Sequence, residues 1–344
     1  MIKQAITQVV EGKHLSEEEM TLVMNQIMSG DASPAQIGAF ITALRMKGET
    51  IDEIVGAVRV MREKAVFIDT GIDTGAGEIL MDIVGTGGDS SGSFNVSTTT
   101  SFVVAAAGIP VAKHGNRAVS SHCGSADVIE ALGVNLNLQP EQVGDCVRKV
   151  GIGFLFAPLL HGAMKYAIGP RREIGIRTIF NILGPMTNPA GANVQLTGVF
   201  APQLTTVLAE VLIRLGMKRA LIVWGEGGLD EMTVTGATHL ADGKNGSVQT
   251  TVIQPEDVGL KRAALADIKG GKTAAESAAQ VRAVLTGTPG AKLDMVLLNA
   301  GASLMAAGKA EDITAGIALA REIILSGAAI AKLDALVTFS QASS

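Results

Sequence analysis

The sequence is poor in cysteine and in aromatic residues. Its 344 residues include two cysteines, one tryptophan and one tyrosine, and aromatic residues make up 3% of the chain. Cys123 and Cys146 are too few for a disulfide framework, which favours a protein made and kept in the cytoplasm. With so few aromatic rings, the chain lacks stacking surfaces for single-stranded nucleic acid.

A strong charge of either sign and long apolar runs are also absent. Lys and Arg number 28 against 33 Asp and Glu, giving a net charge of -5 without blocks of like charge. This balance argues against a nucleic-acid or membrane-surface role. Although 47% of the residues are hydrophobic, Gly, Lys or Glu interrupts each apolar run before membrane-spanning length, and residues 1–4 show no signal leader. We expect a cytoplasmic globular protein without a nucleic-acid or membrane partner.

The first 65 residues predict a small helical domain. Ser16 and Glu19, and likewise Thr50 and Glu53, have the spacing of capping boxes at helix starts. In the second helix four apolar residues recur at helical spacing and predict a buried face: Met20, Val23, Met24 and Ile27. Residues 69–78 contain three glycines and resemble a linker. A chain of this length also favours a second, larger unit.

From residue 80 onward the pattern is strand, glycine turn and helix, repeated. The predicted strands are 81–84, 109–112, 195–200, 221–224 and 248–253. The predicted helices are 96–107, 171–183, 204–215, 274–285, 291–307 and 310–326. Alternation of this kind indicates an α/β domain whose mostly parallel sheet is flanked by helices on both faces.

A glycine-rich turn at 85–92 follows the first of these strands and precedes a helix start at 95–97. Glycines at 85, 87, 88 and 92 let successive N–H groups converge on one anion, and the helix N-terminus adds partial positive charge. The turn lacks the lysine of a P-loop, and Ser90 stands where a dinucleotide fingerprint needs glycine. It therefore predicts a different phosphate site, with a tight turn that binds no ligand as the alternative.

Further polar residues follow two other predicted strands. Lys113, Asn116 and Arg117 come after strand 109–112, at the sheet edge where open α/β sheets bind ligands, and Ser125 can cap the helix behind them. The alternative for such donors is a set of hydrogen bonds that hold the loop. The adjacent carboxylates Asp230 and Glu231 follow strand 221–224 and a short loop. They lie either in a solvated loop or, if phosphate-binding loops are close by, in a Mg²⁺ site.

The remaining candidates are His161 and Arg171, which can recognise a planar carboxylate through the arginine fork. Cys123 follows His122, but nothing at a recognised spacing completes a nucleophilic triad. The scattered cysteines and histidines show no zinc-ligand spacing. Residue pattern alone thus yields binding groups without an acid or base catalyst.

Several motifs in chain order resemble the anthranilate phosphoribosyltransferase family: Gly85-Thr-Gly-Gly-Asp89, Asn95-Val-Ser97-Thr98, Lys113-His-Gly-Asn-Arg117, Gly124-Ser-Ala-Asp127, Phe154-Leu-Phe-Ala-Pro158, Arg177-Thr-Ile-Phe-Asn181, Gly184-Pro185, Asn188-Pro189 and Leu229-Asp-Glu231. The resemblance covers nearly the whole chain. It implies a homodimer, with a small helical domain (1–68 joined by 170–188), a large α/β domain (69–169 and 189–344) and a hinge between them that holds Mg²⁺ and phosphoribosyl pyrophosphate.

The resemblance also assigns binding residues. Those implied for phosphoribosyl pyrophosphate are Gly85, Thr86, Gly87, Gly88, Asp89, Asn95, Ser97, Thr98, Lys113, Asn116 and Ser125. Those implied for anthranilate are Gly85, Asn116, His161 and Arg171, and those for Mg²⁺ are Ser97, Asp230 and Glu231. No residue is implied as a general acid or base.

Three positions depart from the family pattern. Ser90 replaces a common glycine, Gly162 replaces the usual proline after His161, and Trp224 replaces a common histidine. Two alternatives share the architecture. A nucleoside phosphorylase would need lysine-rich and serine-rich glycine motifs that differ from 85–89, and a nucleic-acid binder would need a basic surface in place of this acidic chain.

Overall fold

The computed structural model describes residues 1–88, 92–118 and 123–342, and the chain divides into two compact units. Unit 1 comprises Met1–Phe67 and Pro158–Pro189, and unit 2 comprises Ile68–Ala157 and Ala190–Ser344. The second segment of unit 1 thus begins at Pro158, where we expected 170. Strand pairing ends at Phe156, and the helix Lys165–Ile174 packs on the second and third helices of unit 1.

Unit 1 is helical throughout its described elements. Its helices are α1 (Ile2–Val10), α2 (Glu17–Ser29), α3 (Pro34–Lys47), α4 (Ile51–Lys64), α8 (Ala157–Leu160, at the boundary), α9 (Lys165–Ile174) and α10 (Phe180–Leu183), with 3₁₀ turns at Gly162–Met164 and Gly184–Met186. Both predicted capping boxes are confirmed: the Ser16 hydroxyl accepts from the Glu19 N–H, and the Thr50 hydroxyl from the Glu53 N–H. The predicted apolar face of α2 is buried.

The predicted continuous helix over 171–183 is wrong. Helix α9 ends at Ile174 because Gly175 adopts a left-handed conformation, with φ +68°, and its N–H bonds back to the Arg171 carbonyl. Residues without helical structure separate this end from the start of α10 at Phe180. Arg171 therefore lies in the last turn of a helix and not in the first.

Unit 2 contains a seven-stranded sheet of order β3-β2-β1-β4-β5-β6-β7. Its strands are β1 (Met81–Gly85), β2 (Val111–Gly115), β3 (Ile152–Phe156), β4 (Val194–Gly198), β5 (Arg219–Gly225), β6 (Thr238–Lys244) and β7 (Ser247–Ile253). The first five strands in that order are parallel, and β6 and β7 add an antiparallel hairpin. The mostly parallel α/β sheet predicted from sequence is confirmed.

The helices of unit 2 are α5 (Val96–Ala106), α6 (Ser125–Ala131), α7 (Pro140–Val150), α11 (Leu204–Arg214), α12 (Ala274–Leu285), α13 (Ala291–Ala306), α14 (Ile313–Leu325) and α15 (Ala328–Ala342). Helix α13 packs on α5, α14, β4 and β5, whereas α11 packs on β5, β6 and β7. Within the described ranges no single helix is long and apolar enough to cross a membrane. The pair α14 and α15 reaches such a length only together, and it is bent by 63°.

Candidate functional site

An acidic pair lies against the carboxyl ends of three neighbouring parallel strands. Strands β1, β4 and β5 end at Gly85, Gly198 and Gly225. A Cβ at Gly85 would collide with the Asp230 carboxylate, one at Gly198 with the Asp230 carbonyl, and one at Gly225 would come within 2.7 Å of the Glu231 carbonyl. Only glycine permits this close approach, so the strand ends form a cradle for the pair.

Both carboxylates are bound by backbone amides of the predicted phosphate-binding elements. Asp230 Oδ2 accepts from the Gly87 N–H at 2.7 Å, and Glu231 Oε1 accepts from the Ser97 N–H at 3.1 Å. The two residues are only 9% and 8% exposed. The pair is therefore tied to the glycine turn on one side and to the first turn of α5 on the other, and it is not a solvated loop.

Lys113 lies beside this cluster, inside the sheet. The strand predicted at 109–112 runs instead over Val111–Gly115, so Lys113 is a strand residue, 3% exposed, and not a loop residue. Burial lowers the pKa of its ammonium, which Asp82, Glu231 and Asp230 oppose by their charges. Its Nζ donates to the Ser97 hydroxyl at 3.4 Å.

Sequence reasoning missed Asp82, the carboxylate that acts most strongly on the pKa of that lysine. Asp82 is fully buried on β1, and its Oδ1 accepts from the His114 N–H at 3.1 Å across to β2. A carboxylate inside a short apolar strand is costly unless it is paired. The sequence signal for a role of Asp82 was its place among Met81, Ile83 and Val84, because a strand this apolar is buried on both faces and its carboxylate then needs a partner.

Two threonine hydroxyls in the same region are buried without a partner. Neither Thr86 Oγ1, in the glycine turn, nor Thr98 Oγ1, in the first turn of α5, has a hydrogen-bond partner in the part of the chain that the structure describes. The hydroxyls of Thr100, Thr178 and Thr197 share this property, so a bound ligand is one of several groups that could complete Thr86 and Thr98. Predicted residue Asp89 and the departure at Ser90 lie outside the described residues.

The donor set at the acidic pair fits Mg²⁺. Asp230 and Glu231 offer hard carboxylate oxygens, and the Ser97 hydroxyl lies within reach of Lys113 beside them. Across the described ranges no cluster of three or more His, Cys, Asp or Glu side chains could hold a metal ion. Mg²⁺ commonly takes one or two carboxylates and fills its remaining positions with water and substrate phosphate, so two carboxylates suffice.

Asn116 and Ser125 are held together at the end of β2. The Ser125 hydroxyl accepts from the Asn116 N–H and donates to the Asn116 carbonyl, both at 3.2 Å. The prediction that Ser125 caps the next helix is wrong: Gly124 is the N-cap of α6, and its N–H donates to Asp127 Oδ2 at 2.9 Å. On the neighbouring element, Asn95 Nδ2 donates to the Cys123 carbonyl at 3.3 Å.

In unit 1 the predicted carboxylate-recognising residues are both desolvated. Burial lowers the pKa of His161 to about 4, so its imidazole is neutral at pH 7. Burial also lowers the pKa of Arg171, whose guanidinium lies 5.3 Å from the centre of the Phe180 ring. Among the described residues no carboxylate forms an ion pair with Arg171. A desolvated guanidinium stacked on an aromatic ring is suited to a planar anion.

Two family models match the chain. The model described as glycosyl transferase family, a/b domain, matches residues 77–330, and the helical bundle domain of the same family matches residues 3–65. A relative from Desulfotalea psychrophila, named anthranilate phosphoribosyltransferase, is 68% identical over 98% of this chain and 97% of its own. One of the same name from Moorella thermoacetica is 55% identical over 98% of both chains.

Solved structures agree with these relatives. The crystal structure of anthranilate phosphoribosyltransferase from Thermus thermophilus has a TM-score of 0.92 and 44% identity, covering 98% of this chain and 99% of that one. The Saccharomyces cerevisiae enzyme in complex with PRPP and Mg has a TM-score of 0.87 and 25% identity, covering 99% and 98%. The resemblance seen in the motifs is confirmed, and neither alternative is supported. The chain belongs to the anthranilate phosphoribosyltransferases of this glycosyl transferase family.

Proposed function

We propose that the chain transfers the phosphoribosyl group of phosphoribosyl pyrophosphate to the amine of anthranilate, giving N-(5-phosphoribosyl)anthranilate and pyrophosphate. The observation that carries the proposal is the acidic pair bonded to the Gly87 and Ser97 amides. It joins a candidate magnesium site to two anion-binding backbone elements at the carboxyl edge of a parallel sheet, where open α/β folds bind ligands.

The donor is assigned to the elements around that pair. Amides of the glycine turn and of the first turn of α5 suit phosphate oxygens, and the Thr86 and Thr98 hydroxyls add two donors. Lys113 is assigned to the donor because its Nζ lies beside the Ser97 hydroxyl, where the charges of Asp82, Glu231 and Asp230 favour its protonated form. The remaining assigned residues are Gly85, Gly87, Gly88, Asp89, Asn95, Ser97, Asn116 and Ser125. Asp230, Glu231 and Ser97 would hold Mg²⁺.

Anthranilate is assigned to Arg171, His161, Asn116 and Gly85. The Arg171 fork matches a carboxylate with two parallel hydrogen bonds. Because His161 is neutral at pH 7, it acts as a hydrogen-bonding group and brings no charge. The half-buried Arg171 guanidinium gains a counterion when the substrate carboxylate binds, which favours an acidic arylamine over a neutral one.

The reaction needs charge stabilisation more than proton transfer. As the bond from ribose C1 to pyrophosphate oxygen breaks, positive charge grows on the sugar and negative charge on the leaving group. Bound Mg²⁺ would supply a hard positive charge to the pyrophosphate oxygens. Backbone amides of the glycine turn, the α5 N-terminus and Lys113 would stabilise the same charge from fixed positions. The arylamine lone pair is free at neutral pH, so its nitrogen bonds to C1 unaided and then releases one proton to water.

We also propose a cytoplasmic homodimer. The cysteines Cys123 and Cys146 are both free thiols, as a reducing compartment requires. Unit 1 presents large apolar side chains to solvent, among them Val10, Met46 and Phe67, at 68%, 84% and 70% exposure. The resemblance to the family implies a homodimer, and these exposed apolar side chains are candidates for its interface.

Turnover tests the proposal directly. Purified protein is mixed with anthranilate, phosphoribosyl pyrophosphate and Mg²⁺, and the fading of anthranilate fluorescence is followed. We expect fading that stops when the metal is chelated, and that is lost in the double variant Asp230→Asn, Glu231→Gln. An absence of turnover by the unmodified protein would overturn the proposal, and full activity in the double variant would remove the pair from the site.

A further inference from the structure

The segment that carries the acidic pair has no regular secondary structure to satisfy its backbone. It leaves β5 through a turn in which the Leu229 N–H and carbonyl both pair with Gly225, at 3.0 and 2.8 Å. At its other end the Thr233 N–H donates to the Thr238 hydroxyl at 3.0 Å. Between these two anchors, buried peptide groups need partners from elsewhere, because an unpaired buried amide costs about as much as a lost hydrogen bond.

Asn299 supplies those partners to Met232, the residue directly after Glu231. Its Oδ1 accepts from the Met232 N–H at 3.1 Å, and its Nδ2 donates to the Met232 carbonyl at 2.8 Å and to the Met295 carbonyl at 2.9 Å. One acceptor bond and two donor bonds thus satisfy its side-chain amide. The side chain pairs with the Met232 peptide groups as a neighbouring strand would.

The position of this asparagine is unusual for a purely structural residue. It is fully buried on α13, where its neighbours Leu297, Leu298 and Ala300 belong to the apolar core. An apolar residue would fill such a helix position at lower desolvation cost, and asparagine is a poorer helix former than leucine. We therefore attribute the presence of a polar side chain at this position to its hydrogen bonds with Met232.

We propose that Asn299 is a positioning residue of the magnesium site: by fixing both peptide groups of Met232, it holds the Glu231 and Asp230 carboxylates in place. Consecutive Cα atoms are about 3.8 Å apart across a peptide bond, so a shift at Met232 moves Glu231 directly. The glycine cradle limits the segment from the strand side, and Asn299 restrains it from the helix side. This inference rests on the proposed function, in which the pair binds the metal.

The test compares Asn299→Leu with Ser303→Ala. Ser303 is a matched control because it lies one helical turn further along α13, is fully buried, and donates to the Asn299 carbonyl within the helix and to no other group among the described residues. Mn²⁺ serves as the metal probe, with its binding read from the loss of the free-ion electron paramagnetic resonance signal. The Mg²⁺ concentration for half-maximal rate is measured alongside, and thermal unfolding reports stability.

We expect Asn299→Leu to weaken Mn²⁺ binding and raise the half-saturating Mg²⁺ concentration about tenfold or more, the usual scale for residues that orient metal ligands. Ser303→Ala should leave Mn²⁺ binding and the half-saturating Mg²⁺ concentration unchanged, even if it lowers the thermal midpoint as much as Asn299→Leu does. Equal metal binding in the two variants would overturn the inference. If Asn299→Leu does not fold, Asn299→Ser replaces it, since the shorter side chain cannot span both Met232 groups. Absence of turnover by the unmodified protein would instead count against the proposed function.

Discussion

At the residue scale, Arg171 is the residue that would bind the substrate carboxylate in the proposed anthranilate site. Arg171→Ala should raise the anthranilate KM about 10- to 100-fold with little change in the KM for the donor, because a charge-assisted hydrogen-bonded pair contributes about 1.5–3 kcal/mol. Steady-state kinetics with each substrate varied in turn measures the difference. Its neighbour Arg172 is exposed on the same helix, so Arg172→Ala is the matched control. An unchanged anthranilate KM in Arg171→Ala would contradict the assignment.

His161 ties the stability of the protein to pH. Its pKa is about 4 in the folded protein, compared with the ordinary value of 6.5. Below pH 6.5 the unfolded chain therefore binds a proton at this histidine, whereas the folded chain does so only near pH 4. Stability from this group is full above pH 6.5 and is lost as pH falls toward 4. Linkage gives a loss of about 2 kcal/mol between pH 7.5 and pH 5.

The measurement is urea unfolding at those two pH values. His161→Gln should remove that share of the acid-induced loss, whereas His239→Gln, at an exposed position on β6, should retain it. If the two variants lose the same stability between the two pH values, burial of His161 does not govern the effect.

At the scale of elements, the glycine that ends β4 controls the acidic pair. The added methyl of Gly198→Ala would overlap the Asp230 carbonyl, so the Asp230 backbone must shift, and this disturbs the bonds of the pair to the Gly87 and Ser97 amides. Activity should fall about 100-fold, because displacement of a catalytic group by about 1 Å costs on that order.

Gly216→Ala is the control for this change. Gly216 follows α11 at φ +88° with no atom near an added methyl, so its alanine variant should lose about 1 kcal/mol of stability and keep its activity. Rate measurements at saturating Mg²⁺, paired with thermal unfolding, separate the two effects. Equal activity in the two alanine variants would show that the cradle does not place the pair.

Local signals predicted many elements. Two failures were also local: the apolar run of strand β3 was not predicted as a strand, and Gly175 was not recognised as the end of α9. Other failures depend on contacts distant in sequence. Capping boxes at Ser16 and Thr50 depend on residues three positions apart, and both helix starts were read correctly. Strand β6 was missed because Asp242 and Lys244 interrupt its apolar pattern, although pairing with β5 fixes it in the sheet. The roles of Asp82 and Asn299 depend on partners 32 and 67 residues away, which no local spacing reveals.

The candidate site shows the same division. The glycine turn and the acidic pair were predicted as candidates because glycine and carboxylate side chains indicate their chemistry from residue type alone. What could not be read was that β1, β4 and β5 end side by side, so that three separate glycines admit one pair of carboxylates. Strand order arises from packing across the whole sheet, so local sequence does not give it. The only local sign of this arrangement was that three short strands each end in glycine.

For the whole molecule, the sharpest prediction concerns assembly. A chain of 35.4 kDa should sediment as a particle of about twice that mass at micromolar concentration, as the proposed homodimer requires, with Val10, Met46 and Phe67 as candidate interface residues. Its thermal midpoint should then rise with protein concentration, since dissociation accompanies unfolding. Sedimentation equilibrium gives the mass, and dilution series of thermal scans give the dependence. A monomeric mass with a concentration-independent midpoint would show that these side chains are exposed for a reason other than self-association.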